Sequence, residues 1–329
     1  MRKKIPAFIV VLVLLLGLTA GCGQKSAEKA AAPAEKKEIR IGYQASSSLT
    51  ILAKAKGFFE EEFGKDGTAV TYNLFLAGPP MNEALAGNRL DIANLGPLPA
   101  IAARATGIDV KVVARAYSDE LYYGLLVRPD SAITSVKDLQ GRKVAVQVGS
   151  GAHLFLMLLI QQNGLKTSDV NIVNLPTSDH QTALETGNVD AVATWQPFVA
   201  SLELAKAGKV LVDSKNVIRT VGVYLARNEF GQQNPELIAR FLKVHQKAAA
   251  YLKNNTDEAL AIISKESKIP VDALAKSVKT INWELSITDA DVKVLAESKD
   301  FLKSTNVIKK DFDINELVDK TYLNKSGIK

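Results

Sequence analysis

From residue 38 onward, short β-rich apolar runs alternate with stretches whose apolar positions recur at helical spacing. Ile39-Arg40-Ile41-Gly42-Tyr43 reads as a strand, followed by the turn Gln44-Ala45-Ser46-Ser47-Ser48 and a helix through Leu52 to Phe63. A strand at Val70–Leu76, a helix at Met81–Ala86, a strand at Asp91–Leu95 and a helix at Ala100–Ala105 come next. Strands near Val110–Ala114 and Tyr123–Val127 follow. Strands that alternate with helices predict βαβ units, hence an α/β fold with a mainly parallel sheet covered on both faces.

The order then repeats. Val144-Ala145-Val146-Gln147 is a strand, Gly149-Ser150-Gly151 a turn, and Leu154–Asn163 a helix stopped by Gly164. Residues 183–193 echo residues 84–94, each with a helix, a Gly-Asn stop, an aspartate (Asp91, Asp190) and an apolar strand. Glycine just past a helix end supplies the left-handed cap, and asparagine tolerates it. Two similar α/β lobes are expected, the first from 38–127 with 220–329 and the second from 128–219. After a β-rich run at Val221–Ala226 the chain turns helical, at Pro235–Lys253, Thr256–Glu266, Val271–Ser277 and Asp289–Ser304, and closes the first lobe. Crossings near Leu125–Pro129 and Ile218–Val223 would join the lobes and allow hinge bending about a cleft.

The N-terminal segment follows a different pattern. Arg2, Lys3 and Lys4 precede an apolar stretch at Ala7–Leu18, and small residues lead on to Cys22. This is the layout of a secretory signal, too short for a comfortable membrane span. A signal peptide over 1–21 and a flexible tether over 22–37 are expected, since the tether has nothing to bury. Leu18-Thr19-Ala20-Gly21-Cys22 resembles the lipobox of bacterial lipoproteins. That resemblance implies cleavage before Cys22, a diacylglyceryl group on its thiol and often a fatty acyl chain such as palmitate on its amine. The chain would then sit lipid-anchored on the outer face of the bacterial cytoplasmic membrane.

The charge balance changes once that segment is set aside. The 329 residues hold 41 Lys+Arg against 35 Asp+Glu, a formal +6, of which residues 1–21 supply three basic groups. The remaining +3 is spread among acidic residues, as in Glu35-Lys36-Lys37-Glu38, so nucleic acid is excluded as a partner. One cysteine excludes an intrachain disulfide and a cysteine zinc site. His153, His180 and His245 stand at no metal-ligand spacing. Neither a phosphate loop nor a dinucleotide fingerprint occurs, and Val148-Gly149-Ser150-Gly151-Ala152 lacks the frame of a nucleophile elbow. No catalytic residue, metal or cofactor is expected.

Five strand-to-helix junctions share a chemistry suited to a ligand. They are Gln44–Ser48, Gly78-Pro79-Pro80, Gly96-Pro97-Leu98-Pro99, Gly149–His153 and Trp195-Gln196-Pro197. Glycine lets backbone approach a ligand, serine donates a hydroxyl or caps a helix, and proline fits the first helical turn. Helix starts present unpaired N–H groups, and together they suit a compact anion. A single junction is better explained by capping; five of them from both lobes point to a site. His153 suits an anion donor or a half-buried cap; Trp195 suits a cleft wall or a core. Asp119 and Glu120 could meet a ligand ammonium or stand solvated.

These residues carry a family resemblance. Ile41-Gly42-Tyr43-Gln44, Phe75-Leu76-Ala77-Gly78-Pro79 with Glu83-Ala84-Leu85, Lys143 through His153, and Asn188-Val189-Asp190-Ala191 running into Trp195-Gln196-Pro197 resemble solute-binding proteins of ABC importers. The branch is that for aliphatic sulfonates, taurine and nitrate. The resemblance implies a type II periplasmic-binding-protein (Venus-flytrap) fold, without catalytic activity, that closes on one small anion and delivers it to permease subunits, working as a monomer. It carries ligand contact onto Gln44, Ser46, Ser47, Gly78, Pro79, Gly96, Pro97, Ser150, Gly151, His153 and Trp195, and Glu120 is added as a candidate partner for an ammonium. Ala152 and Gln196 depart from the branch pattern, which commonly places a hydroxyl and an aspartate there. An alkanesulfonate is the expected ligand. Nitrate, taurine and a thiamine or riboflavin precursor are the alternatives, with a pyrimidine-precursor synthase as the enzymatic rival.

Overall fold

The structure, a computed structural model, describes residues 37–328; the expected signal peptide, Cys22 and the tether up to residue 36 lie outside the described residues. The first sheet takes β1 (Glu38–Tyr43), β2 (Ala69–Leu74), β3 (Ile92–Leu95) and β4 (Val110–Asp119). The second takes β5 (Tyr123–Val127), β6 (Lys143–Val146), β7 (Asn171–Asn174), β8 (Ala191–Trp195) and β9 (Lys209–Asp213). Last, β10 (Thr220–Arg227) returns to the first sheet. The orders are β2-β1-β3-β10-β4 and β7-β6-β8-β5-β9.

Both sheets follow one plan. Three parallel strands stand side by side, then one strand runs antiparallel to both of its neighbours: β10 between β3 and β4, β5 between β8 and β9. The sheets are therefore mixed rather than mainly parallel. The inner strands β3 and β8 are buried along their whole length, as their mostly apolar residues require of strands covered on both faces, with Asn94 and Thr194 the polar exceptions. Helices flank each sheet, so the molecule has two α/β lobes.

The antiparallel strands mark the one large departure from the sequence reading. β5 was expected to end the first lobe, yet it belongs to the second sheet. The first crossing is therefore Glu120–Tyr122 rather than Leu125–Pro129, and the return crossing is Ser214–Arg219. Five buried apolar residues in β5 suit either sheet equally, so the pattern alone could not assign it. The two crossings are laced together: Ser214 Oγ donates to the Glu120 carbonyl (2.7 Å) and accepts from the Tyr123 amide (3.1 Å).

Two local differences have clear causes. The helix expected over 52–63 is split into Ser48–Ala55 and Phe58–Phe63, because Gly57 adopts a left-handed φ of 69°. The internal repeat is real and keeps the register of 84–94 on 183–193, in which the two Gly-Asn dipeptides do not coincide. Arg40 N donates to the Asp91 carboxylate (2.9 Å) just as Lys143 N donates to that of Asp190 (2.8 Å). Ahead of each aspartate the left-handed residue is Asn88 (φ 54°) in one lobe and Gly187 (φ 72°) in the other. Asn88 is thus equivalent to Gly187, and the two Gly-Asn dipeptides are offset by one position.

The C-terminal helices cover the first lobe. Pro235–Asn254 buries Leu237, Phe241, His245, Ala248 and Leu252 on one face, a helical spacing, and Phe241 packs on Phe59 and Tyr224. Asp289–Ser304 starts with a capping box between Thr288 and Asp291. Buried Asp291 also takes Arg115 (3.1 Å) and Arg219 (2.8 Å), which ties the return crossing to the first lobe. Among the described residues no helix is long and apolar enough to cross a membrane.

Candidate functional site

A cavity of about 40 Å³ lies where the strand ends of the two lobes meet. A water-sized group needs about 10–15 Å³ on this measure, so the space suits a compact head group of a few atoms. The first lobe contributes Gln44, Gly78, Pro79 and Gly96, residues that follow β1, β2 and β3; the second contributes Gln147, Ser150, Gly151 and Trp195, from the ends of β6 and β8. Ligands of open α/β sheets gather at this place, outside the carboxyl ends of the strands.

Glycine is required at two of these points by close packing. A Cβ on Gly78 would stand 2.5 Å from Pro99 Cβ, and one on Gly151 would stand 2.0 Å from the Tyr123 hydroxyl oxygen. Helix Gly151–Gln162 begins at the cavity with Ser150 as its cap, the hydroxyl accepting from His153 N (3.3 Å). The first-turn amides of Gly151 and Ala152 have no place in the helical ladder.

Three tyrosines, one each from β4, the first crossing and β5, complete the wall. Tyr117 stacks on Tyr122 (centroids 4.9 Å apart), and Tyr122 meets Tyr123 edge-on. Burial pushes the Tyr117 hydroxyl up to about 12 and those of Tyr122 and Tyr123 well above the usual range. All three remain protonated at neutral pH. Among the described residues the lining holds no Asp, Glu, Lys, Arg or His. The cavity therefore offers neutral donors and helix-start amides without a formal countercharge, an arrangement that stabilises an anion while leaving it exchangeable.

Residues 44–259 match the family described as NMT1/THI5 like. The chain belongs to this family. A Bacillus subtilis (strain 168) relative, provisionally named an aliphatic sulfonates-binding protein, is 38% identical over 323 residues, covering 97% of this chain and 96% of its own. An Escherichia coli (strain K12) relative of the same provisional name is 29% identical over 88% of this chain and 90% of its own. The crystal structure of the periplasmic aliphatic sulphonate binding protein SsuA from Escherichia coli superposes with a TM-score of 0.75 at 28% identity, covering 89% of this chain and all of that one (100%). The fold is the two-lobed periplasmic-binding-protein fold. These relatives are binding proteins by name; a yeast (Saccharomyces cerevisiae) pyrimidine phosphate synthase of the family is 26% identical over 61% of this chain.

Of the residues brought forward from the sequence of this family member, Gln44, Gly78, Pro79, Gly96, Ser150, Gly151 and Trp195 line the cavity. Five do not. Ser47 Oγ accepts from Gln44 N (3.0 Å) and donates to Asn94 (3.1 Å), so its hydroxyl builds the turn. Ser46 closes the same turn through its carbonyl, which accepts from Ser48 N (2.9 Å). Pro97 is buried in the first turn of helix Pro97–Ala105, whose wall residues are Gly96 and Pro99. Glu120 is exposed in the first crossing and lines a separate hollow with Asp119, Lys215 and Arg219. His153 Nδ1 accepts from Gly149 N (3.4 Å), its ring stands edge-on to Phe301, and burial lowers its pKa, so it is a neutral structural group.

Sequence reasoning, which placed Tyr117 beside Trp195 as a candidate aromatic wall, missed Tyr122, Tyr123 and Gln147. The tyrosines were visible as a cluster at the end of a strand, but only the transfer of β5 to the second sheet turns them into a cavity wall.

Proposed function

We propose that this protein is an extracytoplasmic binding protein of an ABC importer that captures an organosulfonate monoanion between its lobes. In this reading acylated Cys22 holds it at the membrane, permease subunits receive the ligand, and the protein works as a monomer. The observation that carries the reading is the cavity wall: neutral hydroxyls and helix-start amides, aromatic faces, and no charged side chain. A sulfonate stays a monoanion across physiological pH, so it needs donors and no proton acceptor. The rings of Tyr117, Tyr122 and Trp195 suit the apolar part of such a ligand, which nitrate lacks. The names of the most similar full-length relatives point the same way.

Titration calorimetry and thermal unfolding of the full chain with ethanesulfonate, butanesulfonate, taurine, nitrate and a thiamine-type pyrimidine test it. A sulfonate at a hundredfold excess over Kd should stabilise the fold by about 2.7 kcal/mol. No response to any sulfonate would sink the reading. Membrane fractionation and the mass of the N-terminal peptide test the anchor, and a soluble, unmodified Cys22 would remove it.

A further inference from the structure

We propose that Gln147 selects sulfonates whose tail carries an uncharged hydrogen-bond donor, the hydroxyalkanesulfonates, over their alkyl and ammonium counterparts; the proposal rests on the sulfonate reading above. Gln147 follows β6 directly, and its carbonyl accepts from Ser150 N (3.2 Å), which fixes the turn into the cavity-facing helix. Its side chain lines the cavity, and its Oε1 is buried with no hydrogen-bond partner among the described residues. Buried polar atoms are rarely left unpaired, so an orphan on a cavity wall points to a group supplied from outside.

The chemistry of the remaining wall narrows that group. The hydroxyls of Tyr117 and Tyr122 pair with each other, which leaves one of their protons, with that of Ser150, for the sulfonate oxygens. Gln147 Oε1 can only accept. A hydroxyl on the ligand tail satisfies it, and a plain alkyl tail leaves it unpaired. An ammonium could also donate, but it would give up its water in a wall without a carboxylate. The acids Asp119 and Glu120 line a different hollow at the crossings.

Three ligands that differ in one group decide the matter: ethanesulfonate, 2-hydroxyethanesulfonate and taurine, titrated calorimetrically into the full chain. The hydroxyl compound should bind about fivefold to tenfold more tightly than ethanesulfonate, the span of one hydrogen bond to a buried acceptor. Taurine should fall at least about tenfold below the hydroxyl compound. In Gln147→Leu, and in Gln147→Met should that variant fold poorly, the advantage of the hydroxyl compound over ethanesulfonate should vanish. Gln147→Glu should raise taurine above the hydroxyl compound. Equal affinities for ethanesulfonate and the hydroxyl compound in the native protein would overturn the proposal, as would an equal loss of all three ligands in both Leu and Met variants. Binding of none of the three defeats the sulfonate reading itself, and this proposal with it.

Discussion

The two lobes share one strand order and one aspartate at the same point of it, yet that aspartate is braced in one lobe and nearly free in the other. Asp91 is buried and receives Arg40 (2.7 Å), Arg227 (3.0 Å) and the Arg40 amide. Its counterpart Asp190 keeps the equivalent amide bond to Lys143 but meets only Arg142, at 3.7 Å, and is 31% exposed. The difference arises at the antiparallel strand. Arg227 ends β10 and turns in to Asp91, whereas Arg128, just past β5, turns out to Asp130 (3.4 Å). An identical strand order therefore does not carry identical side-chain bracing.

The largest expected effect tests that contrast directly. Asp91→Asn leaves two arginines beside a neutral amide and should cost about 3–5 kcal/mol, as breaking a buried ion pair does. Asp190→Asn should cost about 1 kcal/mol, the worth of one amide hydrogen bond. Urea unfolding of both variants reads the difference. Equal losses would mean that the arginine brace adds nothing beyond the shared backbone bond.

A second contrast lies in the cores. His245 in the first lobe is fully enclosed: Nδ1 donates to the Phe241 carbonyl (2.9 Å), so Nε2 accepts from Thr50 (3.0 Å). Burial pushes its pKa down to about 4. His180 in the second lobe is also lowered by burial, but the Leu175 carbonyl and Asp179 act against the shift. A histidine with a lowered folded pKa binds a proton more readily when unfolded. Its stabilisation is complete above the unfolded value of about 6.5 and is lost as pH falls towards about 4, up to about 3 kcal/mol in total. Unfolding free energies at pH 7 and pH 4.5 should therefore differ much less in His245→Phe than in the native protein. The same comparison for His180→Phe should show a smaller change. An equal change at both histidines would remove this distinction between the cores.

Much of this arrangement was legible in the chain, for identifiable reasons. Mostly apolar runs such as Ile92–Leu95 and Ala191–Trp195 announce inner strands, and the recurring aspartate announces a second lobe built like the first. Glycine and proline at the strand ends pointed to the cavity, because backbone approach and first-turn geometry favour those residues. What stayed hidden depends on partners distant in sequence. The sheet that β5 joins is decided by pairing with β8 and β9, which its own five residues do not encode. The tyrosine wall follows from that choice. The hydroxyl of Ser47 looked like ligand chemistry, yet turn closure used it first; Ser46 enters that turn only through its carbonyl, and His153 was drawn to its own turn and to Phe301.

The smallest expected effect concerns the two sides of the cavity. The cavity-facing helices of the first lobe start Gly78-Pro79-Pro80 and Pro97-Leu98-Pro99, and proline has no N–H to offer. That side shapes the cavity more than it donates to it. The helix of the second lobe starts Gly151-Ala152-His153, and only the His153 amide is taken, by Ser150. The second lobe should therefore supply most of the backbone donors to an anionic head group. Ala152→Pro imitates the first lobe: proline fits an early helical position, so the fold should persist while one donor is lost. Sulfonate affinity should fall about tenfold by calorimetry, near the upper end for one hydrogen bond to a charged group. Unchanged binding would mean that these amides do not face the ligand, and the uneven distribution of prolines would then reflect helix capping alone.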